Sequence, residues 1–187
     1  MNKKILFITQ AAMIAAAYVV ITYFVSAFNL ASGTIQIRVS EILTVLPYFT
    51  PAAIPGLWIG CLLANILTGC MLPDVIFGSL ATLIGAVGTY FLRNHKFALT
   101  LPPVIANVLI VPFILKYVYG VPAVIFKGID VTIPFNMITI GIGEVISCCI
   151  LGTIFIRSLG RYRSQIFGEI ASKNTPIQNI GIKTKKI

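Results

Sequence analysis

The sequence predicts an all-α integral membrane protein, a bundle of six transmembrane helices with both termini cytoplasmic. Three observations carry that prediction. Hydrophobic residues make up 58% of the 187 and charged residues only 10%, with a mean hydropathy of +0.98, whereas soluble domains carry about 25% charged residues. Residues 5–37 and 42–73 contain no charge at all, and each stretch exceeds the roughly 20 residues that one spanning helix needs. The basic residues gather at one set of helix ends. Lys3, Lys4, Arg93, Lys96, Arg157, Arg161, Arg163, Lys173, Lys183, Lys185 and Lys186 fall on the inner side, leaving Arg38, Lys116 and Lys127 outside. A Lys/Arg excess marks the cytoplasmic side, and two basic ends require an even number of spans. The net charge of +9 therefore reads as topology rather than as a nucleic-acid surface. A soluble enzyme and any large extramembrane domain are excluded.

The first span runs from about Ile5 to Phe28. Although Asn2-Lys3-Lys4 precedes it, its apolar run outlasts the roughly 7–15 residues of a cleavable signal, so it is expected to be retained. The polar stretch Asn29 to Gln36 follows. A short second helix, about Val39 to Phe49, stops at Thr50-Pro51; at about 1.5 Å per residue it falls short of the ~30 Å hydrocarbon core. The third span covers about Pro55 to Leu72. Asp74 is placed as the N-cap of a fourth, reaching Leu92 and ending at Arg93-Asn-His-Lys96. The fifth opens on Pro102-Pro103, tolerated in a first helical turn, and reaches about Tyr119. A loop from Gly120 to Pro134 leads to the sixth, about Phe135 to Leu159. The chain thus divides into a six-helix transmembrane substrate-binding domain, 1–163, and a polar basic cytoplasmic tail, 164–187.

Charges and amides inside spans need explaining, because a charge at a helix centre costs about 2.5–3.5 kcal/mol on insertion scales. Glu144 lies in the sixth span on one face with Asn136, Ile140 and Ser147. No basic residue of that helix lies nearby, which favours an inward ligand contact over a structural ion pair. Arg38 and Glu41 share a face of the second helix with Val45 and Tyr48, and either neutralise each other or bind. Trp58 and Asn65 lie on one face of the third. Asn107 is the one amide of the fifth, and such amides also serve helix–helix contacts. One pocket in the outer half of the bundle explains Arg38, Glu41, Asn65, Asn107 and Glu144 together. A carboxylate, amides and an aromatic platform from Trp58 or Tyr48 suit a flat, neutral heterocycle. A guanine-like edge offers two adjacent N–H donors to one carboxylate, with Glu41 and Glu144 the candidates. Cys61, Cys70, Cys148 and Cys149, with no C-x-x-C pair, read as small hydrophobes in helix packing. His95 sits in a turn as a surface residue. No P-loop and no metal-ligand motif occurs, so no cofactor or energy source is expected in this chain. Small residues four apart, Ala11 with Ala15 and Ala12 with Ala16, allow close helix approach.

Four stretches carry a family resemblance: Ile35-Gln-Ile-Arg-Val-Ser-Glu41 continuing to Gly56, Gly60-Cys-Leu-Leu-Ala-Asn65, Leu72-Pro-Asp-Val-Ile-Phe-Gly78 continuing to Gly85, and Pro102-Pro-Val-Ile-Ala-Asn107. On these, the chain from about Ile5 to Leu159 resembles the QueT family, substrate-binding (S) components of energy-coupling factor transporters assigned to queuosine precursors. The resemblance implies a six-helix S component that captures a deazaguanine base from outside. It also implies a transmembrane coupling subunit and two cytoplasmic ATPases, which supply ATP-derived energy. The A-x-x-x-A surface that docks the coupling subunit in such components falls on Ala11, Ala12, Ala15 and Ala16. The loop Asn29 to Gln36 is expected to close over the ligand, and the loaded component to topple in the membrane. An S component for another vitamin, a membrane-embedded enzyme and a structural membrane protein are the alternatives. The residues leave open which precursor is bound: cyano-deazaguanine, aminomethyl-deazaguanine or queuine.

Overall fold

A computed structural model describes residues 2–27, 38–95, 98–162 and 166. The expected ligand-closing loop and the polar tail lie outside the described residues. Six α-helices appear: α1 Lys3–Ala27, α2 Ala53–Leu67, α3 Leu72–Phe91, α4 Leu101–Tyr117, α5 Thr132–Glu144 and α6 Gly152–Gly160. A 3₁₀ helix, Val39–Tyr48, stands between α1 and α2, and a π-helical segment, Val145–Leu151, joins α5 to α6 without a break. Four helical segments are long and apolar enough to cross a membrane: Lys3–Ala27, Leu72–Phe91, Ala98–Tyr117 and Thr132–Gly160. The predicted second and third spans are the two shorter ones, Val39–Tyr48 and Ala53–Leu67.

The helices pack in chain order, α1 on α2, α2 on α3, α3 on α4 and α4 on α5. The 3₁₀ helix touches α1, α2, α3, α6 and the π segment, so it runs through the middle of the bundle. Every residue from Leu43 to Tyr48 is buried. Its polar side chains Ser40, Glu41 and Thr44 are buried with the apolar ones, so the helix belongs to the interior on all sides. Its tight winding has local causes. Pro47 lacks an N–H, and the Thr44 hydroxyl donates to the Glu41 carbonyl at 2.6 Å, three residues back. At about 2 Å per residue, ten residues span about 20 Å, still short of the hydrocarbon core.

The α1–α2 contact is set by small residues. A Cβ added at Gly56 would stand 2.7 Å from the Ala11 carbonyl oxygen, and one at Gly60 would stand 3.0 Å from the Ala15 Cα. Ala11 and Ala15 are thus engaged inside the protein, whereas Ala12 and Ala16 are exposed. Farther along α1, buried Gln10 accepts from the Thr50 hydroxyl at 2.9 Å and ties the turn after the 3₁₀ helix to α1.

The loop expected from Gly120 to Pro134 contains a small antiparallel hairpin, β1 Ile125–Phe126 with β2 Ile129–Asp130. Lys127 and Gly128, at φ 50° and 80°, are its two central residues, and positive φ at both is what a two-residue hairpin turn requires. α5 accordingly starts at Thr132, three residues earlier than expected. Asp74 is not an N-cap: α3 begins at Leu72, Met71 occupies the cap position without a side-chain bond, and Asp74 falls in the first turn.

Because the contact at Gly56 is with backbone, Gly56→Ala should force α1 and α2 apart. Overpacking of this kind costs about 1–3 kcal/mol, to be read as a lower melting temperature of the purified protein in detergent; an unchanged value would refute the close contact.

Candidate functional site

Where α1, the 3₁₀ helix, α2, α3 and α4 meet at one end, they line a half-open cavity of about 370 Å³. Sites for small molecules run from about 300 to 1,000 Å³. Arg38, Asn65, Asp74 and Tyr119 supply its chemistry, with Thr22, Ser26, Ser40 and Thr68 as hydroxyls and Val111, Ile114 and Leu115 as apolar wall. Asn65 reaches it from α2, where its Nδ2 points to the Asp74 carbonyl at 3.5 Å and to the Cys61 sulfur at 3.8 Å. The Arg38 guanidinium also approaches Cys61, at 3.9 Å. At the rim, the Tyr119 hydroxyl donates to Asp74 Oδ2 at 2.9 Å and accepts from the Met71 N–H at 3.3 Å. Burial, then the hydrogen bond to Asp74, pushes the Tyr119 hydroxyl up, so it stays a neutral donor.

Below the cavity lies a closed polar network. Glu41 is fully buried; its Oε1 accepts from the Tyr18 hydroxyl at 2.8 Å and the Thr82 hydroxyl at 3.3 Å. Glu144, 2% exposed, accepts from Asn107 Nδ2 at 3.0 Å through Oε1 and from the Cys148 thiol at 3.3 Å through Oε2. The last contact runs four residues back along the helix, from the π segment to the end of α5. Ser147 and Cys148 are the buried residues of that segment, and such bulges in helices mark functional positions. Cys148 also approaches the Glu41 backbone carbonyl, at 3.6 Å, and thereby links the Glu144 carboxylate to the backbone of the 3₁₀ helix. Arg38 interacts electrostatically with both.

The structure therefore brings together five of the residues expected to converge, but in two tiers. Arg38 and Asn65 line the cavity, whereas Glu41, Asn107 and Glu144 lie in the sealed layer beneath it. Two aromatic expectations are corrected. Trp58 is 37% exposed on the outer face of α2, because Gly56, Gly60 and Cys61 define the buried face of that helix. Tyr48 packs edge-on against Phe49, with ring centroids 4.9 Å apart, in the apolar core. In a 3₁₀ helix residues three apart eclipse, so Thr44 and Pro47 follow Glu41, and Tyr48 does not. Arg38 and Glu41 form no direct ion pair among the described residues.

Sequence reasoning passed over Asp74 and Tyr119 at the rim and Tyr18, Thr82, Cys61 and Cys148 in the network. Asp74 and Tyr119 were visible as a charge and a phenol at predicted span ends. The hydroxyls and thiols carry no such signal, since Thr and Cys are ordinary in apolar helices.

Beside the cavity, Lys116 Nζ sits 2.7 Å from Asp130 Oδ2 and clasps the hairpin to the end of α4. Hydrogen bonding to Lys116, then to the Thr132 hydroxyl and N–H, holds Asp130 well below the usual carboxylate range.

A family model described as QueT transporter matches residues 8–161. A curated relative, the "Queuosine precursor transporter QueT" of Lactococcus lactis subsp. cremoris (strain MG1363), is 38% identical over 77 residues, which cover 41% of this chain and 45% of that protein. The match spans about half the length of that relative. No solved structure matches the chain.

Two outcomes test this geometry. Tyr18→Phe should remove one donor from a buried carboxylate and cost about 1–3 kcal/mol in thermal denaturation; an unchanged melt would place the carboxylate elsewhere. Because the folded Asp130 value is depressed, its contribution is complete above the ordinary carboxylate pKa of about 4 and lost only below it. Amide protection of the hairpin in hydrogen exchange should therefore hold down to about pH 4 and fall on further acidification, while Asp130→Asn should lower it above that pH and converge with the unaltered chain below it.

Proposed function

The chain belongs to the QueT transporter family, and on that premise we propose that it captures a queuosine precursor, a deazaguanine base, in the cavity lined by Arg38, Asn65, Asp74 and Tyr119. The observation that carries this reading is the pairing of a carboxylate with hydrogen-bond donors around one half-open cavity of ligand size. The name of the Lactococcus relative supports the substrate class.

The chemistry follows from donor and acceptor counts. A guanine-like edge presents adjacent ring and exocyclic N–H groups, and a single carboxylate accepts both. Asp74 is the carboxylate on the cavity, and its bond from Tyr119 leaves lone pairs free for the base. Arg38 and the Asn65 amide donate toward the ring carbonyl. Val111, Ile114 and Leu115 cover the flat faces in place of Trp58 or Tyr48. Glu41 and Glu144 act from below, their negative charge balancing and orienting Arg38 so that its donors stay on the cavity, and Asn107 holds Glu144 in place by donating to it.

The chain works as the substrate-binding component of an energy-coupling factor importer in the bacterial cytoplasmic membrane, with six spans, the cavity outside and both termini inside. ATP is hydrolysed by two partner ATPases, and a transmembrane coupling subunit transmits the work. That subunit docks on the exposed side of α1 at Ala12 and Ala16, between Ile8, Val20 and Phe24, which stand 63–66% exposed. Ala11 and Ala15 support the same surface from behind by packing α1 onto α2.

Thermal stabilisation of the purified chain tests the ligand. Cyano-deazaguanine, aminomethyl-deazaguanine and queuine are compared with guanine, riboflavin, thiamine and biotin. Stabilisation of about 2.7 kcal/mol at 100 times the dissociation constant is expected for one or more deazaguanines; a response to a vitamin instead overturns the substrate class. Asp74→Asn should weaken binding at least about tenfold, the order of one charge-assisted hydrogen bond, while Trp58→Ala leaves it within about twofold. Ala12→Leu with Ala16→Leu should spare binding and abolish ATP-driven uptake in the assembled transporter. Retained uptake would move the docking surface elsewhere.

A further inference from the structure

The sealed layer beneath the cavity contains acceptors that nothing among the described residues satisfies. Glu41, Glu144 and Cys148, all buried, bring two carboxylate oxygens and one sulfur within 4.8 Å of one another. Around them, Glu41 Oε2, Asn107 Oδ1 and Ser147 Oγ have no hydrogen-bond partner, and each of those three residues is 0% exposed. Buried polar atoms are almost always paired. Asn107 is anchored by its Nδ2 on Glu144, which keeps the unpaired oxygen of the same amide beside that carboxylate. Ser147 lies one residue from Cys148 on the inward side of the π segment.

Charge points the same way. The ionisable groups facing the pair are Tyr18 from α1, Arg38, Cys61 from α2 and Cys148 from the π segment. Arg38 alone among these carries a fixed positive charge, so the two carboxylates, when both are ionised, face one cation. Like charges this close in a low-dielectric interior repel strongly. One further positive charge closes the balance; a divalent ion would leave an excess of one.

We propose that Glu41, Glu144, Asn107 and Ser147 bind one monovalent metal cation, of the sodium type, below the cavity. The free donors are oxygens of carboxylate, amide and hydroxyl, the set that hard cations prefer. Cys148 stays a thiol, since its S–H is given to Glu144 Oε2. The ion completes the floor on which Arg38 rests, and its site is separate from the base-binding contacts.

The test uses the purified full chain in detergent with no deazaguanine present, so its outcome is independent of the proposed substrate. Sodium chloride is exchanged stepwise for choline chloride at constant ionic strength while the melting temperature is followed, and bound ²²Na⁺ is counted. A saturable rise of several degrees and one ²²Na⁺ per chain are expected. Glu144→Gln should weaken the half-saturating sodium concentration at least tenfold. Ser147→Ala, a smaller change that preserves the packing, should weaken it several-fold. A melt insensitive to sodium overturns the proposal. So does a melt that moves with pH alone, which would assign the missing charge to a proton shared by the carboxylates. A sodium response unchanged in both variants would place the ion elsewhere and overturn it as well.

Discussion

The carboxylate of Glu41 accepts from a Tyr18 hydroxyl on α1 and a Thr82 hydroxyl on α3, while its own backbone belongs to the 3₁₀ helix. One buried oxygen therefore fixes three elements against each other. The Asn107–Glu144 bond does the same for α4 and α5, and Cys148 joins that pair to the Glu41 carbonyl. Inside a bilayer, apolar contact gives helices no reason to prefer each other over lipid. Interhelical hydrogen bonds and close packing must supply the specificity instead. Here both operate, with the polar network at the centre and the Gly56–Ala11 and Gly60–Ala15 contacts at the side.

Two departures from α-helical winding, the 3₁₀ helix Val39–Tyr48 and the π segment, flank this network. Irregular backbone at membrane depth is tolerated only where protein buries it, and the 3₁₀ helix meets that condition by lying among six neighbouring segments. Tight winding places Glu41 and Thr44 on one edge, and Cys148 of the π segment meets them, its sulfur 3.5 Å from the Thr44 hydroxyl and 3.6 Å from the Glu41 carbonyl. Arg38 lies between the cavity and the carboxylates, held by charges it does not pair with directly.

How far the sequence discloses this depends on what each residue costs in lipid. Arg38, Glu41, Asn107 and Glu144 are expensive enough in an apolar span that their convergence was readable, and so was Asn65. Their division into a cavity tier and a sealed tier was not, because it depends on winding. An α-helical reading aligns Tyr48 with Glu41, whereas a 3₁₀ helix separates them. Trp58 and Asn65 are seven apart and share a face by spacing, yet the buried side of α2 is dictated by its small residues against α1, which turns Trp58 outward. Asp74 illustrates the opposite error. A carboxylate at a helix start has a sufficient local explanation as a cap, so its role at the cavity rim, opposite Tyr119 across 45 residues of sequence, left no trace in the pattern.

The alanines of α1 show the same limit in its sharpest form. Two stripes of identical spacing, Ala11 with Ala15 and Ala12 with Ala16, differ by one residue, which is about 100° around a helix. Spacing alone treats them as equivalent. The glycines of α2 break the tie, since Gly56 and Gly60 receive Ala11 and Ala15 and leave the other pair on the outside. A small-residue stripe facing outward, bordered by Ile8, Val20 and Phe24, has no internal work left to do. In a membrane such a stripe admits another helix more closely than lipid chains, which is the physical content of a docking face. Internal packing and the proposed external docking therefore take successive faces of one helix, and the first sets the direction of the second.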